Sequence, residues 1–155
     1  AVFATTLDQW QGNNVLHEEV FGPCSLLVET DASADLLKAA EQLDGQLTAT
    51  IWAQENELQD YPALLNELTR KVGRVLINGF PTGVEVCDTM THGGPYPACS
   101  IANSTSVGSR AIERFLRPVS FQNFPDNCLP VALQNSNPLS IRRLVNGVSE
   151  TGSVS

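Results

Sequence analysis

Residues 25–78 read SLLVETDASADLLKAAEQLDGQLTATIWAQENELQDYPALLNELTRKVGRVLIN, and apolar side chains recur in this segment with two different periods. The apolar run SLLV is typical of a buried strand, and so are the β-rich runs LTATIW (47–52) and RVLIN (74–78). Leucines and alanines at helical spacing occupy the two intervals between these runs. The order strand, helix, strand, helix, strand predicts an α/β domain with a largely parallel sheet flanked by helices.

Polar residues and glycines mark the expected ends of both helices. A side-chain oxygen before the apolar stripe caps a helix N-terminus, and glycine commonly follows the last turn. Pro62 suits a first turn, where no amide hydrogen is needed. The residues predicted to delimit the helices are Asp31 or Ser33 and Gly45 for the first, and Asp60 and Gly73 for the second.

The segment 79–100 breaks this pattern, because it contains four glycines and three prolines. It is too long for a simple connection, and loops of this kind inside compact domains tend to be functional or disordered. It also follows a predicted parallel strand, and ligands bind beyond the carboxyl ends of such strands. We therefore predict a functional site in this loop.

Beyond the loop the signals are weaker. Residues 106–116 predict a helix, and the alternation in 119–124 (VSFQNF) predicts a strand. The remaining residues are rich in Asn, Ser and Pro, and only 139–145 gives a weak indication of helix. The last residues, GVSETGSVS, are expected to fray.

The composition excludes several classes of protein. The net charge of −8 over 155 residues repels phosphate backbones, so nucleic acid is not an expected partner. No apolar run reaches the roughly 18–20 residues that span a bilayer, and the first residues lack the features of a secretory signal. We expect a cytoplasmic protein that does not bind membranes. Two basic clusters occur, Arg70, Lys71 and Arg74, and Arg110, Arg114 and Arg117. The second has the spacing i, i+4 and i+7, and we interpret it as a solvated helix face.

The cysteines and histidines do not indicate a metal site. Cys24, Cys87, Cys99 and Cys128 form no CxxC pair, and His17 and His92 lie far apart in the sequence. An even number of cysteines would allow two disulfides. A chain of this size without an export signal does not need them, so we interpret these residues as reduced thiols.

Residues 17–23 read HEEVFGP, which resembles the E-E-[IV]-F-G-P motif of the aldehyde dehydrogenase superfamily. Further strings resemble the same family in the same order, and the resemblance covers about residues 15–124: GRVLIN at 73–78, the glycine pair 93–94, and SVGSR at 106–110. THGGPYPA (91–98) and RFLRPVSFQNFP (114–125) are similar to one branch in particular, the α-ketoglutarate semialdehyde (2,5-dioxovalerate) dehydrogenases.

The resemblance implies an oxidoreductase that converts an aldehyde to a carboxylic acid with NAD or NADP. A semialdehyde such as α-ketoglutarate semialdehyde is the implied substrate. Glu19 matches the family's glutamate that accepts hydrogen bonds from both hydroxyls of the nicotinamide ribose, because a carboxylate offers two acceptors to a vicinal diol. Phe21 would pack beside the nicotinamide, and Gly22 and Pro23 would form the turn that follows.

The resemblance also places the 79–100 loop at the entrance for the small aldehyde substrate. The residues implied to line it are Val86, Cys87, His92, Gly93 and Gly94. The loop contains no Lys or Arg, so a carboxylate on the substrate would need a cation from another part of the enzyme. His92 equally fits a loop histidine with no part in the chemistry.

No catalytic residue is assigned to this chain. In the family the nucleophilic cysteine lies in a G-Q-x-C motif upstream of E-E-V-F-G-P, and no such motif occurs here. We therefore expect residues 1–117 to be the C-terminal part of the catalytic domain, 118–126 to be an oligomerisation strand and 127–155 to be a tail. The expected partners are the N-terminal remainder of the enzyme and further copies in a dimer or tetramer. The isolated chain is expected to be inactive.

Two other interpretations stay open at this point. The chain could be a non-catalytic fragment or an assembly module that acts only by pairing with another chain. It could also be an unrelated α/β binding protein whose motifs match by accident. The choice between NAD and NADP depends on groups near the adenosine ribose, which this sequence does not contain.

Overall fold

A computed structural model describes residues 1–154 of the chain. These residues form two compact units, Ala1–Leu116 and a second unit that begins at Arg117. The predicted tail, 127–155, ends on a residue that lies outside the described part. The first unit contains β1 (Val2–Thr6), α1 (Leu7–Gln11), β2 (Ser25–Glu29), α2 (Ser33–Gln42), β3 (Gln46–Ile51), α3 (Pro62–Lys71) and β4 (Val72–Ile77). The second contains β5 (Arg143–Val145) and β6 (Val148–Glu150).

The predicted order of strand, helix, strand, helix, strand is confirmed over β2, α2, β3, α3 and β4. β3 and β4 are parallel, with Thr48 opposite Arg74, and α2 packs against α3. Ala40 of α2 and Leu68 of α3 are buried between these elements, as is Val72 at the start of β4. The apolar stripes therefore form a small core, as their helical spacing predicts.

The prediction of one largely parallel sheet is wrong in its connectivity. β2 pairs with β1, with Val2 opposite Ser25, and not with β3. The described residues therefore form two separate parallel pairs, β1–β2 and β3–β4, together with one antiparallel pair. A hydrophobic run identifies a strand, but it does not say which neighbour receives its backbone hydrogen bonds.

The predicted helix ends are only partly right. Pro62 is the first residue of α3, as expected, but the N-cap is Tyr61 and not Asp60, which belongs to a 3₁₀ turn at Leu58–Asp60. No side chain caps α2, so the predicted capping by Asp31 or Ser33 is wrong. α2 ends at Gln42, three residues before Gly45, and Gly73 lies inside β4. Both glycines are instead needed for close backbone packing, described below.

The helix predicted over 106–116 is a 3₁₀ helix at Ser109–Phe115. Gly108 precedes it with a φ of 83° and a ψ of 177°, a combination that is essentially restricted to glycine. That conformation stops a regular helix from beginning at Ser106. Another short 3₁₀ helix, Asn14–His17, precedes Glu18.

The second unit differs most from the predictions. Residues 119–124 form no strand within the single chain, because no neighbouring strand pairs with them there. The weak helix at 139–145 is also wrong: β5 and β6 form a hairpin, which orders residues expected to fray. Asn146 and Gly147 connect them with φ of 49° and 83°, as in a type I′ turn.

Asn137 is the polar centre of the second unit and only 4% exposed. Its amide nitrogen donates to the carbonyl oxygens of Ile141 (2.9 Å) and Thr151 (2.8 Å), and its amide oxygen accepts from the Ile141 nitrogen (3.2 Å). Arg143 adds a second link, donating to the carbonyl oxygens of Gln134 and Gly152. The hairpin is thus joined to the preceding residues mainly by side-chain hydrogen bonds.

We expect Asn137→Ala to destabilise this unit by about 1–3 kcal/mol, because buried backbone groups lose their partners. Hydrogen exchange of the amides in 141–150 should accelerate, while exchange in β3 and β4 stays unchanged. Asn135→Ala is the matched control, since Asn135 is exposed and is joined to its neighbours through its main chain. Unchanged exchange in the Asn137 variant would show that the hairpin does not depend on these bonds.

Candidate functional site

A cleft of about 1110 Å³ in the first unit contains both glutamates of HEEVFGP. Its wall is formed by the residues around the 3₁₀ helix at 14–17, by those leading into β3, and by Pro97 and Ala98. Its carboxylates are Glu18, Glu19 and Asp44, and its amides are Gln11, Asn14, Gln42 and Gln46. Thr48 of β3 adds a hydroxyl.

The chemistry of this wall favours a neutral ligand that donates hydrogen bonds. Carboxylates accept hydrogen bonds and donate none, and side-chain amides do both. No Lys or Arg occurs among the residues that line the cleft, so phosphate groups would meet only negative charge there. A sugar diol fits this set of acceptors, whereas the pyrophosphate of a dinucleotide would have to bind elsewhere.

The main chain before Glu19 is anchored by stacked rings. The rings of Trp10 and His17 lie 3.9 Å apart and 9° from parallel, and Trp10 is buried. His17 Nε2 donates to the Trp10 carbonyl oxygen at 3.0 Å. Asn13 Oδ1 accepts from the Val15 nitrogen and so caps the 3₁₀ helix that leads to Glu18. The sequence analysis missed this anchor, because Trp10 lies in α1 and His17 lies in the separate 3₁₀ helix at 14–17, so no single helical period joins them.

Phe21 lies outside this cleft. Its side chain is 98% exposed, and a side chain added at Gly22 would meet no atom within 4 Å. The Cys24 nitrogen donates to the Gly22 carbonyl oxygen, which makes the predicted turn tight. Packing of Phe21 against a nicotinamide therefore stays a prediction, and the side chain is free to make such a contact.

Arg74 holds the start of the 79–100 loop. It lies on β4, within the strand predicted at 74–78, and its guanidinium donates to the carbonyl oxygens of Pro81 (2.7 Å) and Gly83 (2.9 Å). Lys71 is also engaged, donating to the carbonyl oxygens of Glu41 and Leu43 at the end of α2. Of this basic cluster only Arg70 projects into solvent.

Gly93 and Gly94 are buried and pack against the starts of β3 and β4. A Cβ at Gly73 would overlap the Gly93 carbonyl oxygen, and one at Gly94 would overlap that of Gln46. A Cβ at Gly45 would likewise overlap the carbonyl oxygens of Pro95 and Tyr96. Gly45, Gly73, Gly93 and Gly94 thus form a glycine seam, where loop and strand backbones touch directly. A role for the glycine pair at an aldehyde entrance stays a prediction.

The other predicted loop residues lie apart from Glu19. Val86 is 85% exposed, and Cys87 is half-buried with its Sγ 3.6 Å from Thr89 Oγ1. The His92 side chain is exposed, while its main chain is fixed by hydrogen bonds with Thr105 and Ser106. From the 79–100 loop, only Pro97 and Ala98 reach the cleft with Glu19.

The SVGSR string ends in a local ion pair. Arg110 Nε and Nη2 each donate to the Glu113 carboxylate at 3.1 Å. These hydrogen bonds, and the positive charge beside them, lower the pKa of the Glu113 carboxyl below its usual value. Both side chains are exposed, so this is a surface pair of small energetic weight.

Three further findings concern metals, thiols and membranes. Over residues 1–154, no three His, Cys, Asp or Glu side chains lie close enough together to hold a metal ion. Cys24, Cys87, Cys99 and Cys128 are unpaired in the structure. No helix in the described part of the chain combines the length and hydropathy that a membrane span requires.

Curated proteins that are similar to this chain include two semialdehyde dehydrogenases. The chain is 60% identical over 137 residues to an alpha-ketoglutaric semialdehyde dehydrogenase of Acinetobacter baylyi, covering 88% of this chain and 26% of that protein. It is 54% identical over 132 residues to alpha-ketoglutaric semialdehyde dehydrogenase 2 of Azospirillum brasilense, covering 85% of this chain and 25% of the relative. No family model matches the chain.

Identity at this level extends far beyond the quoted motifs, so the interpretation as an unrelated α/β protein is excluded. The chain spans about a quarter of the length of the curated relatives it matches. The resemblance inferred from HEEVFGP and the later strings is confirmed. The chain is homologous to a segment of the alpha-ketoglutaric semialdehyde dehydrogenases, the branch of the aldehyde dehydrogenase superfamily that its motifs resemble.

Proposed function

We propose that this chain is part of an enzyme that oxidises a semialdehyde, such as α-ketoglutarate semialdehyde, to a carboxylic acid with NAD or NADP. The observation that carries the proposal is 60% identity over 137 residues to a dehydrogenase of that name. Within this chain, the cleft that contains Glu19 is the site for the cofactor, and the 79–100 loop is the part that meets the aldehyde.

Glu19 is proposed to bind the two hydroxyls of the nicotinamide ribose. Its carboxylate lines a cleft that holds acceptors and amides but no cation, as a neutral diol requires. A hydrogen bond to a charged group contributes about 1.5–3 kcal/mol. A nicotinamide held there would supply the acceptor for the hydride that leaves the substrate. The contribution of Glu19 is orientation, because a displacement of about 1 Å costs on the order of 100-fold in rate.

The nucleophile is proposed to lie outside this chain. None of its cysteines lies in a G-Q-x-C motif, and the three in the first unit are absent from the wall of the Glu19 cleft. We therefore propose that the 155-residue chain needs the remainder of the enzyme for turnover. NAD or NADP would bind its adenosine and phosphates on that remainder, since the cleft described here suits neither.

A second function, assembly, is favoured by the apolar surface of 119–124. Val119, Phe121 and Phe124 are 57%, 41% and 48% exposed. Phe121 and Phe124 contact each other edge to face at 5.3 Å. We propose that residues 119–124 pair with a strand of another copy in a dimer or tetramer. The backbone groups of this stretch, which no strand among the described residues of its own chain pairs with, would then be hydrogen-bonded.

The proposal is tested by kinetics of the full-length protein that contains this segment. With NAD or NADP, kcat/KM for α-ketoglutarate semialdehyde should exceed that for propanal by at least about tenfold, since recognition of an added group commonly contributes that much. The chain 1–155 alone should form no NADH or NADPH with either aldehyde. Equal kcat/KM for both aldehydes would contradict the substrate proposal. Turnover by the short chain would contradict the location of the nucleophile.

A further inference from the structure

Arg74 lies on β4, directly opposite Thr48 of β3 in the parallel register. β4 ends at Ile77, and the loop that follows it returns to the Arg74 side chain, whose guanidinium contacts Pro81, Gly83 and Met90. The position of Arg74 in the strand therefore places its charge beside the start of the loop.

The guanidinium of Arg74 joins both ends of the segment 81–90. Nη2 donates to the Pro81 carbonyl oxygen (2.7 Å), and Nη1 donates to the Gly83 carbonyl oxygen (2.9 Å) and contacts Met90 Sδ (3.3 Å). Between these points the loop carries Val86 and Cys87. A planar guanidinium with several fixed donors suits two carbonyl oxygens at once, which a lysine ammonium cannot match in geometry.

The far side of the same segment is fixed by residues that follow the loop. Ser109 Oγ donates to the Asp88 carboxylate, and a Cβ at Gly108 would come within 2.7 Å of the Cys87 carbonyl oxygen. The Met90 nitrogen donates to the Cys87 carbonyl oxygen and closes a turn. The base of the loop is therefore clamped, while Val84, Glu85 and Val86 at its tip remain exposed.

We propose that Arg74 is a positioning residue, which fixes the 81–90 loop so that its tip meets the aldehyde in a single conformation. This inference rests on the proposed function of the loop. Because two of its nitrogens already bind main-chain oxygens, Arg74 serves the loop and is not the partner of a substrate carboxylate. Losing it affects every aldehyde alike, with or without a carboxylate.

The test uses Arg74→Met in the full-length protein, with Arg70→Met as the matched control. Arg70 is 72% exposed and contacts only Glu67, at 3.5 Å, among the ion pairs of the described residues. For Arg74→Met we expect KM to rise about tenfold for both α-ketoglutarate semialdehyde and propanal, with kcat and the KM for NAD or NADP within about twofold, since only aldehyde binding is disturbed. Hydrogen exchange of the amides in 82–90 should accelerate. Arg70→Met should change none of these values.

Three results would overturn the inference. Unchanged KM for both aldehydes is one, and unchanged amide exchange in 82–90 is another. A rise in KM confined to the carboxylated aldehyde would make Arg74 a substrate ligand. Should Arg74→Met fail to fold, Arg74→Lys serves instead, with the same expected direction because the ammonium cannot join both carbonyls. A wild-type protein without aldehyde oxidation would contradict the proposed function, while the exchange measurement would still decide whether Arg74 holds the loop.

Discussion

Replacement of Glu19 by Gln in the full-length protein is expected to slow hydride transfer about 10- to 100-fold. The amide keeps the shape of the side chain, but it loses the charge and one of the two acceptors that a ribose diol requires. A charged hydrogen bond contributes about 1.5–3 kcal/mol, and each 1.36 kcal/mol corresponds to a factor of ten in rate. The substitution should slow the hydride step in the complex with cofactor and aldehyde, whereas the KM for the aldehyde should change little.

Single-turnover kinetics separates this step from product release, because the amplitude and rate of NADH or NADPH formation are observed before the first turnover ends. Glu18→Gln is the matched control: it removes the neighbouring carboxylate of the same cleft and should leave hydride transfer within about twofold. If Glu19→Gln transferred hydride at the wild-type rate, the ribose assignment would have to be abandoned. If Glu18→Gln produced the larger loss, the two glutamates would exchange roles.

Gly73→Ala is expected to destabilise the first unit by about 1–3 kcal/mol, the usual cost of overpacking a well-packed site. The added methyl group would overlap the Gly93 carbonyl oxygen, and a main-chain atom cannot turn aside as the end of a flexible side chain can. Relief requires the loop to move away from β4, which would also break the Arg74 hydrogen bonds to Pro81 and Gly83.

Urea unfolding of the first unit, followed by Trp10 and Trp52 fluorescence, measures this effect. Gly83→Ala is the matched control in the same loop, since a Cβ there meets no heavy atom within 4 Å. It should leave the unfolding midpoint unchanged or slightly raised, because alanine restricts the unfolded chain. Equal midpoints for Gly73→Ala and wild type would show that the loop rests less firmly on β4 than the structure indicates.

The sequence alone predicts the elements that depend on local periodicity. β2, α2, β3, α3 and β4 were all found, because each carries its hydrophobic period within its own residues. β1 was missed, and with it the true partner of β2. Pairing is decided between residues more than 20 positions apart, such as Val2 and Ser25, and no local pattern reports it.

The hairpin at 143–150 was also not predicted, although the sequence contains a turn signal for it. Asn146-Gly147 between Val145 and Val148 is the dipeptide that a type I′ turn favours. The Asn- and Ser-rich composition around it was interpreted as a frayed end. Composition describes an average, whereas one turn dipeptide with paired valines on either side fixes a local structure.

For the candidate site, the motif located Glu19 but not its surroundings. HEEVFGP placed the glutamate, and the structure adds Asp44, Gln46 and Thr48 from elements that are 25 or more residues away. Arg74 was grouped with Arg70 and Lys71 because the three are close in sequence. The strand predicted at 74–78 already separates Arg74 from the helix, but the main-chain oxygens that its side chain binds belong to the loop, and a charge pattern cannot predict them.

The glycine seam has a consequence for how this loop can evolve. The base of the loop packs against two strands, and the contacts at Gly45, Gly73 and Gly94 leave no space for a side chain. Tolerated substitutions are therefore confined to the exposed tip at 84–86. Substitutions at Val84 and Val86 change what the loop presents without disturbing what supports it. Given the proposed role of the loop, a combinatorial library restricted to these positions should yield altered aldehyde preference from clones that nearly all remain folded.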